Sequence, residues 1–113
     1  MGAITTHVLD TARGRPAAGI RVRLEQLVGG AWRQIGHGAT DPDGRCRTLM
    51  PDDVELEAGN YRLRFETGRY FETQEISPFY PDVTIAFTAA PGEPHYHVPL
   101  LLSPFGYTTY RGS

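Results

Sequence analysis

Hydrophobic and polar residues alternate along most of the chain, a pattern that is typical of half-buried β-strands. Residues 3–10 form the first predicted strand, which places Thr5, His7 and Leu9 on one face. The same alternation predicts further strands over Ile20–Leu24, Trp32–Gly38, a short segment from Arg45, Tyr61–Phe65, Val83–Phe87, Tyr96–Leu100 and Tyr107–Tyr110.

Turn residues separate these strands. Gly29-Gly30 predicts a two-residue hairpin turn, because both positions tolerate positive φ. Asp-Pro-Asp-Gly at 41–44 has the chemistry of a type I turn, and residues 13–16 are expected to form a loop. Residues 68–76 depart from strict alternation, which favours a short helix.

These elements predict an all-β fold. About eight short strands, separated by many of the 13 glycines and 9 prolines, indicate a two-sheet β-sandwich with one short helix. A chain of 113 residues has room for one domain, so residues 1–113 are expected to fold as a single unit. With 40% hydrophobic and 21% charged residues, its composition is that of a globular protein.

Charge and composition exclude several classes of function. The formal net charge is −2, which offers no general attraction for nucleic acid or for an anionic membrane. All eleven basic residues are arginine, so lysine nucleophiles and Schiff bases are excluded. The single cysteine, Cys46, cannot close an intrachain disulfide and is compatible with a reducing compartment. With no leader segment recognised, a cytoplasmic location is expected.

Histidines are the main candidates for chemistry. Alternation places His95 and His97 on one face of a strand, roughly 6.5 Å apart. Together with His7 they could form a zinc site that keeps one position open for water. Alternatively, His95 is simply solvated and His97 is an ordinary hydrogen-bonded strand residue, or His97 performs acid–base chemistry without metal. The pattern alone leaves these alternatives open.

Other polar residues give weaker indications of a functional site. Arg45 follows the predicted turn, and its guanidinium fork suits a planar, carbonyl-rich ligand, although a solvated strand residue is the commoner case. Taken alone, His7 has a buried, satisfied histidine as its commoner explanation. His37 is expected at the surface, and nothing in the sequence makes Cys46 a nucleophile. The last seven residues, 107–113, are expected to continue as a strand with aromatic, cationic and hydroxyl groups.

Three separated motifs make the chain recognisable. The first is His7-Val8-Leu9-Asp10 followed by Gly14-x-Pro16-Ala17; the second is Tyr96-His97-Val98-Pro99-Leu100-Leu101-Leu102-Ser103-Pro104; the third is Tyr110-Arg111-Gly112-Ser113. In this order and across the whole chain, they resemble the transthyretin-related 5-hydroxyisourate hydrolases. The final tetrapeptide resembles the ending that separates those hydrolases from transthyretin.

The resemblance implies a transthyretin-like sandwich and an active site formed by His7, Arg45, His97 and Ser113, with Arg45, Tyr110 and Ser113 binding substrate. It implies hydrolysis of a cyclic amide-type C–N bond in 5-hydroxyisourate, giving 2-oxo-4-hydroxy-4-carboxy-5-ureidoimidazoline in urate degradation. It also implies a homotetramer, a dimer of dimers whose facing sheets enclose the sites. No cofactor or metal is expected.

The residues leave two questions open within that resemblance. Either His97 or His7 could be the general base, with the other orienting it or the water, and Ser113 could act through its hydroxyl or a carboxylate. Water attack is favoured over a covalent serine mechanism. The alternative function is a transthyretin-like carrier that binds a small hydrophobic molecule in the channel between subunits.

Overall fold

Two β-sheets and one short helix make up the computed structural model, which describes residues 2–113. The elements are β1 (Ile4–Asp10), β2 (Arg15–Pro16), β3 (Arg21–Val28), β4 (Ala31–Ala39), β5 (Arg45–Cys46), β6 (Gly59–Phe65), α1 (Thr67–Glu72), β7 (Val83–Ala89), β8 (Tyr96–Ser103) and β9 (Gly106–Thr109). In this part of the chain, no helix is long and apolar enough to cross a bilayer.

The first sheet has the order β2-β1-β8-β9, with β5 also paired to β1. Its central strands, β1 and β8, are parallel, with Thr5 opposite His97 and His7 opposite Pro99. The second sheet, β4-β3-β6-β7, is antiparallel throughout. The parallel pairing therefore joins two segments that lie about ninety residues apart in the sequence.

The core lies between the sheets and is filled by alternate residues of the central strands. The inward positions of the first sheet include Ile4, Val8 and Leu100, all fully buried. The second sheet contributes Leu24 and Leu63, also fully buried. Because successive strand residues point to opposite faces, the residues between these core positions on β1 and β8 face away from the second sheet.

The predicted all-β, two-sheet sandwich with one short helix is confirmed. The hairpin turn is also present, with φ values of 59° at Gly29 and 81° at Gly30. Several boundaries differ from the prediction. Arg15 and Pro16, expected in a loop, form the two-residue strand β2 against β1, so residues 2–113 contain nine strands rather than eight. The helix starts one residue earlier than expected and ends at Glu72.

The predicted C-terminal strand is shorter than expected. Regular pairing of β9 with β8 stops at Thr109, and a single further bridge joins Gly112 to His97. Local alternation could not reveal this boundary, because it depends on where β8 offers free backbone partners. The bridge nevertheless keeps the last residues beside β8.

Candidate functional site

The outer face of the first sheet, the face turned away from the second sheet, carries the predicted chemistry. On β1 it presents Thr5 and His7, and on β8 it presents His97. Register places His7 and His97 diagonally across the parallel pair, about 8 Å apart at the backbone. The two histidine motifs therefore meet, as predicted.

Arg45 joins this face through the turn at residues 41–44. The Gly44 backbone N–H donates to the Asp41 carbonyl at 2.8 Å, and Asp41 Oδ1 accepts from the Arg45 backbone N–H at 3.0 Å. This second bond is the main reason that the pKa of Asp41 lies below its usual range. Gly44 has φ 78°, and a Cβ there would lie 2.4 Å from the Val8 carbonyl oxygen, so only glycine fits. The turn thereby sets Arg45 opposite His7.

The Arg45 guanidinium belongs to none of the ion pairs formed among residues 2–113. Its side chain is half-buried. A guanidinium presents five N–H donors in a planar fork, which matches carbonyl and carboxylate oxygens. This supports its predicted role in substrate binding.

His97 lies half-buried in a positively charged environment. Its Nδ1 is 2.8 Å from the Thr5 hydroxyl oxygen. Burial lowers the pKa of His97 below its ordinary value of 6.5, and the positive charge of Arg45 lowers it further. At neutral pH the ring is therefore neutral and able to accept a proton.

His7 is oriented by a backbone carbonyl. Its Nε2 lies 2.9 Å from the carbonyl oxygen of Asp43. A carbonyl oxygen only accepts hydrogen bonds, so Nε2 carries the proton and donates it. In the neutral ring the unprotonated nitrogen is therefore Nδ1, the one nearer the backbone.

The C-terminal segment passes close to His97. The Gly112 backbone N–H donates to the His97 carbonyl at 2.8 Å. A Cβ on Gly112 would lie 2.7 Å from His97 Cδ2 and 3.1 Å from Pro99 Cγ, so the approach requires glycine. Ser113 follows directly, and continuing the register sets the exposed Tyr110 opposite Pro99. Gly112 thus lies against His97, with Ser113 next to it in the sequence and Tyr110 two positions further along β8.

The remaining sequence candidates lie outside this group. His37 is exposed on β4 of the second sheet, as predicted, and Cys46 is buried in the core. His95 is not simply solvated, because its Nε2 is 3.2 Å from the Thr5 hydroxyl oxygen. Within residues 2–113, no three His, Cys, Asp or Glu side chains are placed to hold a metal ion, so the His7, His95 and His97 zinc site is not assembled in a single chain.

Two residues at the site were missed by sequence reasoning. Thr5 contacts both His95 and His97, and Gly112 permits the C-terminal segment to reach His97. Alternation had placed Thr5 on the same face as His7, which was a usable signal. The pairing with β8 that gives Thr5 its partners is not visible in a local pattern.

Two clefts lie near this face. One of about 550 Å³ adjoins His95, and its lining includes Asp52, Glu55 and Glu93. The second, about 290 Å³, opens between β7 and the end of β9 and is lined partly by Phe87, Tyr96, Val98, Tyr110 and Arg111. His7, His97 and Arg45 line neither of these two clefts and lie on the outer surface of the first sheet.

Comparison with known proteins agrees with the resemblance seen in the sequence motifs. The profile of the HIUase/Transthyretin family matches residues 4–112. The chain is 47% identical to a 5-hydroxyisourate hydrolase of Mesorhizobium japonicum over 99% of this chain and 93% of that one, and 44% identical to one of Salmonella typhimurium over 97% and 80%.

Solved structures agree. Transthyretin from Sparus aurata superposes with a TM-score of 0.91 at 35% identity, covering 99% of this chain and 97% of that one. A 5-hydroxyisourate hydrolase from Klebsiella pneumoniae superposes with a TM-score of 0.85 at 34% identity, covering 97% and 98%. The predicted transthyretin-like architecture is therefore confirmed.

Proposed function

The chain belongs to the HIUase/transthyretin family, and from that premise we propose that it hydrolyses 5-hydroxyisourate on the outer face of its first sheet. The observation that carries this proposal is the meeting of His7, Arg45 and His97 on one surface. Several relatives of 42–47% identity are named 5-hydroxyisourate hydrolase.

The reaction opens the six-membered ring of 5-hydroxyisourate at an amide-type C–N bond and gives 2-oxo-4-hydroxy-4-carboxy-5-ureidoimidazoline. Water must lose a proton as it attacks, and the tetrahedral intermediate carries negative charge that needs stabilisation. A neutral imidazole suits the first task and a guanidinium suits the second. Both groups are present on the outer face.

His97 is the better placed of the two imidazoles to act as general base. Thr5 occupies its Nδ1, so its free nitrogen is Nε2, at the tip of the ring. The Asp43 carbonyl occupies Nε2 of His7, so the free nitrogen there is Nδ1, close to the backbone. A ring tip reaches further from the sheet toward bound water. In this proposal His97 accepts the proton, and His7 orients the water through Nδ1.

Arg45, Tyr110 and Ser113 bind substrate in this proposal. The Arg45 guanidinium takes the carbonyl edge of the substrate and stabilises charge as it develops. The Ser113 hydroxyl, next to the Gly112 bridge, donates to substrate or water, and Tyr110 contacts the substrate from its position opposite Pro99. No metal or other cofactor takes part in this scheme, so activity is expected to survive prolonged treatment with EDTA.

The active form is proposed to be a homotetramer, a dimer of dimers. In one chain the outer face is an open surface, whereas ligand sites are generally concave and bury most of the ligand. A second copy facing the first sheet would close the site. Light scattering should give the mass of four chains of 12.5 kDa, and specific activity should fall on dilution below the assembly range.

We also propose a cytoplasmic location, with which the unpaired Cys46 is compatible. Cell fractionation tests this directly. No nucleic-acid or membrane partner is proposed, in keeping with the net charge of −2.

The decisive experiment follows the absorbance of freshly generated 5-hydroxyisourate. With the protein present, decay should be much faster than the spontaneous rate, and the product should be the ring-opened ureidoimidazoline. The carrier alternative, prompted by the likeness to transthyretin from Sparus aurata, predicts saturable binding with decay at the spontaneous rate. That outcome would overturn the hydrolase proposal.

A further inference from the structure

A chain of three side chains joins the site to the neighbouring cleft. The Thr5 hydroxyl oxygen lies 2.8 Å from His97 Nδ1 and 3.2 Å from His95 Nε2. Thr5 itself is only 3% exposed, so its hydroxyl has little access to water. His95 is half-buried and lines the cleft of about 550 Å³.

A hydroxyl has one proton to donate, so it can donate to only one of these two rings. The other ring must donate an N–H to the hydroxyl oxygen. The tautomers of His95 and His97 are therefore coupled through Thr5. If His97 carries its proton on Nδ1, leaving Nε2 free, then the hydroxyl donates to an unprotonated Nε2 of His95.

We propose that Thr5 is a positioning residue that fixes His97 in the tautomer with a free Nε2, and that Thr5 relays the proton taken from water onward to His95. This inference rests on the proposed hydrolase function and adds two residues to it. It assigns Thr5 and His95 roles that act through His97 rather than on the substrate.

The relay balances at each step. As water attacks the carbonyl carbon, its proton forms a bond to His97 Nε2. The Nδ1 proton of His97 moves to the Thr5 oxygen, and the Thr5 hydroxyl proton moves to His95 Nε2. His97 is then neutral with a proton on Nε2, and the positive charge is on His95.

Collapse of the tetrahedral intermediate reverses the transfer. His97 Nε2–H donates to the leaving nitrogen as the C–N bond breaks. The proton on His95 Nε2 returns to Thr5, and the Thr5 proton returns to His97 Nδ1. The starting tautomers are restored, and the products are the carboxylic acid and the freed N–H group.

The surroundings of the two rings favour a positive charge on His95 over one on His97. A full charge on His97 is opposed by burial and by the positive charge of Arg45, the same causes that lower its pKa. His95 instead borders a cleft whose lining residues include Glu55 and Glu93, of which Glu93 forms an ion pair with Arg111 at 3.4 Å. Relaying the charge to His95 therefore moves it away from the guanidinium and toward acidic groups.

The experiment compares four variants in the assembled protein. Thr5→Val removes the hydroxyl while keeping the shape, and should lower kcat about 10²-fold with little change in KM, because the base loses its tautomer. Thr5→Ser keeps the hydroxyl and should restore most of the rate. His95→Gln still bonds to Thr5 but cannot hold the proton, and should lower kcat about 10-fold.

Thr6→Val is the matched control. The Thr6 hydroxyl donates to the Val98 carbonyl at 2.6 Å on the inner face of the same strand, so its loss affects stability alone. Its kcat should stay within about 3-fold of the parent value. If Thr5→Val or His95→Gln has no more effect on kcat than this control, the relay is wrong.

A measurement that does not need turnover separates this inference from the proposed function. In ¹⁵N-labelled protein, with the His97 signals assigned by their loss in His97→Asn, Nδ1 of His97 should be protonated and Nε2 unprotonated. Thr5→Val should shift the ring toward the Nε2–H tautomer. An Nε2–H tautomer of His97 in the parent protein would overturn the inference even if hydrolysis is fast. Decay of 5-hydroxyisourate at the spontaneous rate would overturn the proposed hydrolase function, whichever tautomer is found.

Discussion

The two faces of strands β1 and β8 differ in burial and in chemistry. Inward residues such as Ile4, Val8 and Leu100 are fully buried and hold the two sheets together. Outward residues of the same strands, including His7 and His97, are half-buried and carry the polar chemistry. The period-two geometry of a strand thus lets one short segment serve stability on one face and, in the proposed mechanism, catalysis on the other.

The largest effect is expected on the outer face. His97→Asn keeps a polar group beside Thr5 but removes the base, so kcat should fall about 10²- to 10⁴-fold. The free energy of unfolding, measured with urea, should change little because the side chain is half-buried. A variant with the parent rate would remove His97 from the role of base.

The matching change on the inner face is Leu100→Ala. Loss of this fully buried side chain should lower the free energy of unfolding by about 2–5 kcal/mol. Under conditions where the variant stays folded, kcat per folded molecule should remain close to the parent value. A loss of kcat comparable with that of His97→Asn would mean that the two faces are not separable.

Arg45→Lys tests recognition on the outer face. Lysine keeps the charge but loses the planar fork, so kcat/KM should fall roughly 10- to 100-fold. Arg64→Lys is a suitable control, because Arg64 is exposed on β6 of the other sheet, where it forms a long ion pair of 3.7 Å with Glu25. If Arg45→Lys and Arg64→Lys both have the kcat/KM of the parent protein, the Arg45 guanidinium does not bind the substrate in a bidentate manner.

Gly112→Ala tests the close approach of the C-terminal segment. The new methyl group would meet the His97 ring at 2.7 Å, so either the ring or the segment must move. A loss of kcat of about 10-fold is expected, since small displacements of catalytic groups are costly. Gly106→Ala is the control, because the nearest atom to its added methyl lies 3.9 Å away. A smaller loss of kcat in Gly112→Ala than in Gly106→Ala would contradict the close approach of the C-terminal segment to His97.

The smallest effect concerns pH. Because the pKa of His97 is lowered, its ring stays neutral at pH 7, and kcat should fall only as the pH passes below 6.5. The unfolded ring takes up its proton at higher pH than the folded ring, so stability is complete above 6.5 and decreases slightly as the pH falls. A kcat that rises on acidification would show that the protonated ring is the active form.

The sequence predicted the strands well wherever one face is buried. Alternation at Tyr61, Leu63 and Phe65 matches β6, because each of these side chains is buried between polar neighbours. It failed at β2, where Arg15 and Pro16 are both exposed and pair only because β1 offers an edge. Such short pairings depend on the partner rather than on local pattern.

The sequence predicted which residues form the candidate site, but not the hydrogen bonds that link them. The motifs identified His7, His97 and the residues beside Gly112, and the structure brings them to one face. The link from His97 through Thr5 to His95 depends on the register of two parallel strands about ninety residues apart. No local periodicity encodes that register, so only the folded chain reveals it.

The most direct test of where catalysis occurs is a crystal structure of the protein with a substrate-like purine bound. The account predicts the purine on the outer face of the first sheet, with Arg45 on its carbonyl edge and His97 Nε2 facing the position of the attacking water. A purine bound instead in the cleft lined by Phe87, Tyr96 and Val98, away from both histidines, would contradict the account.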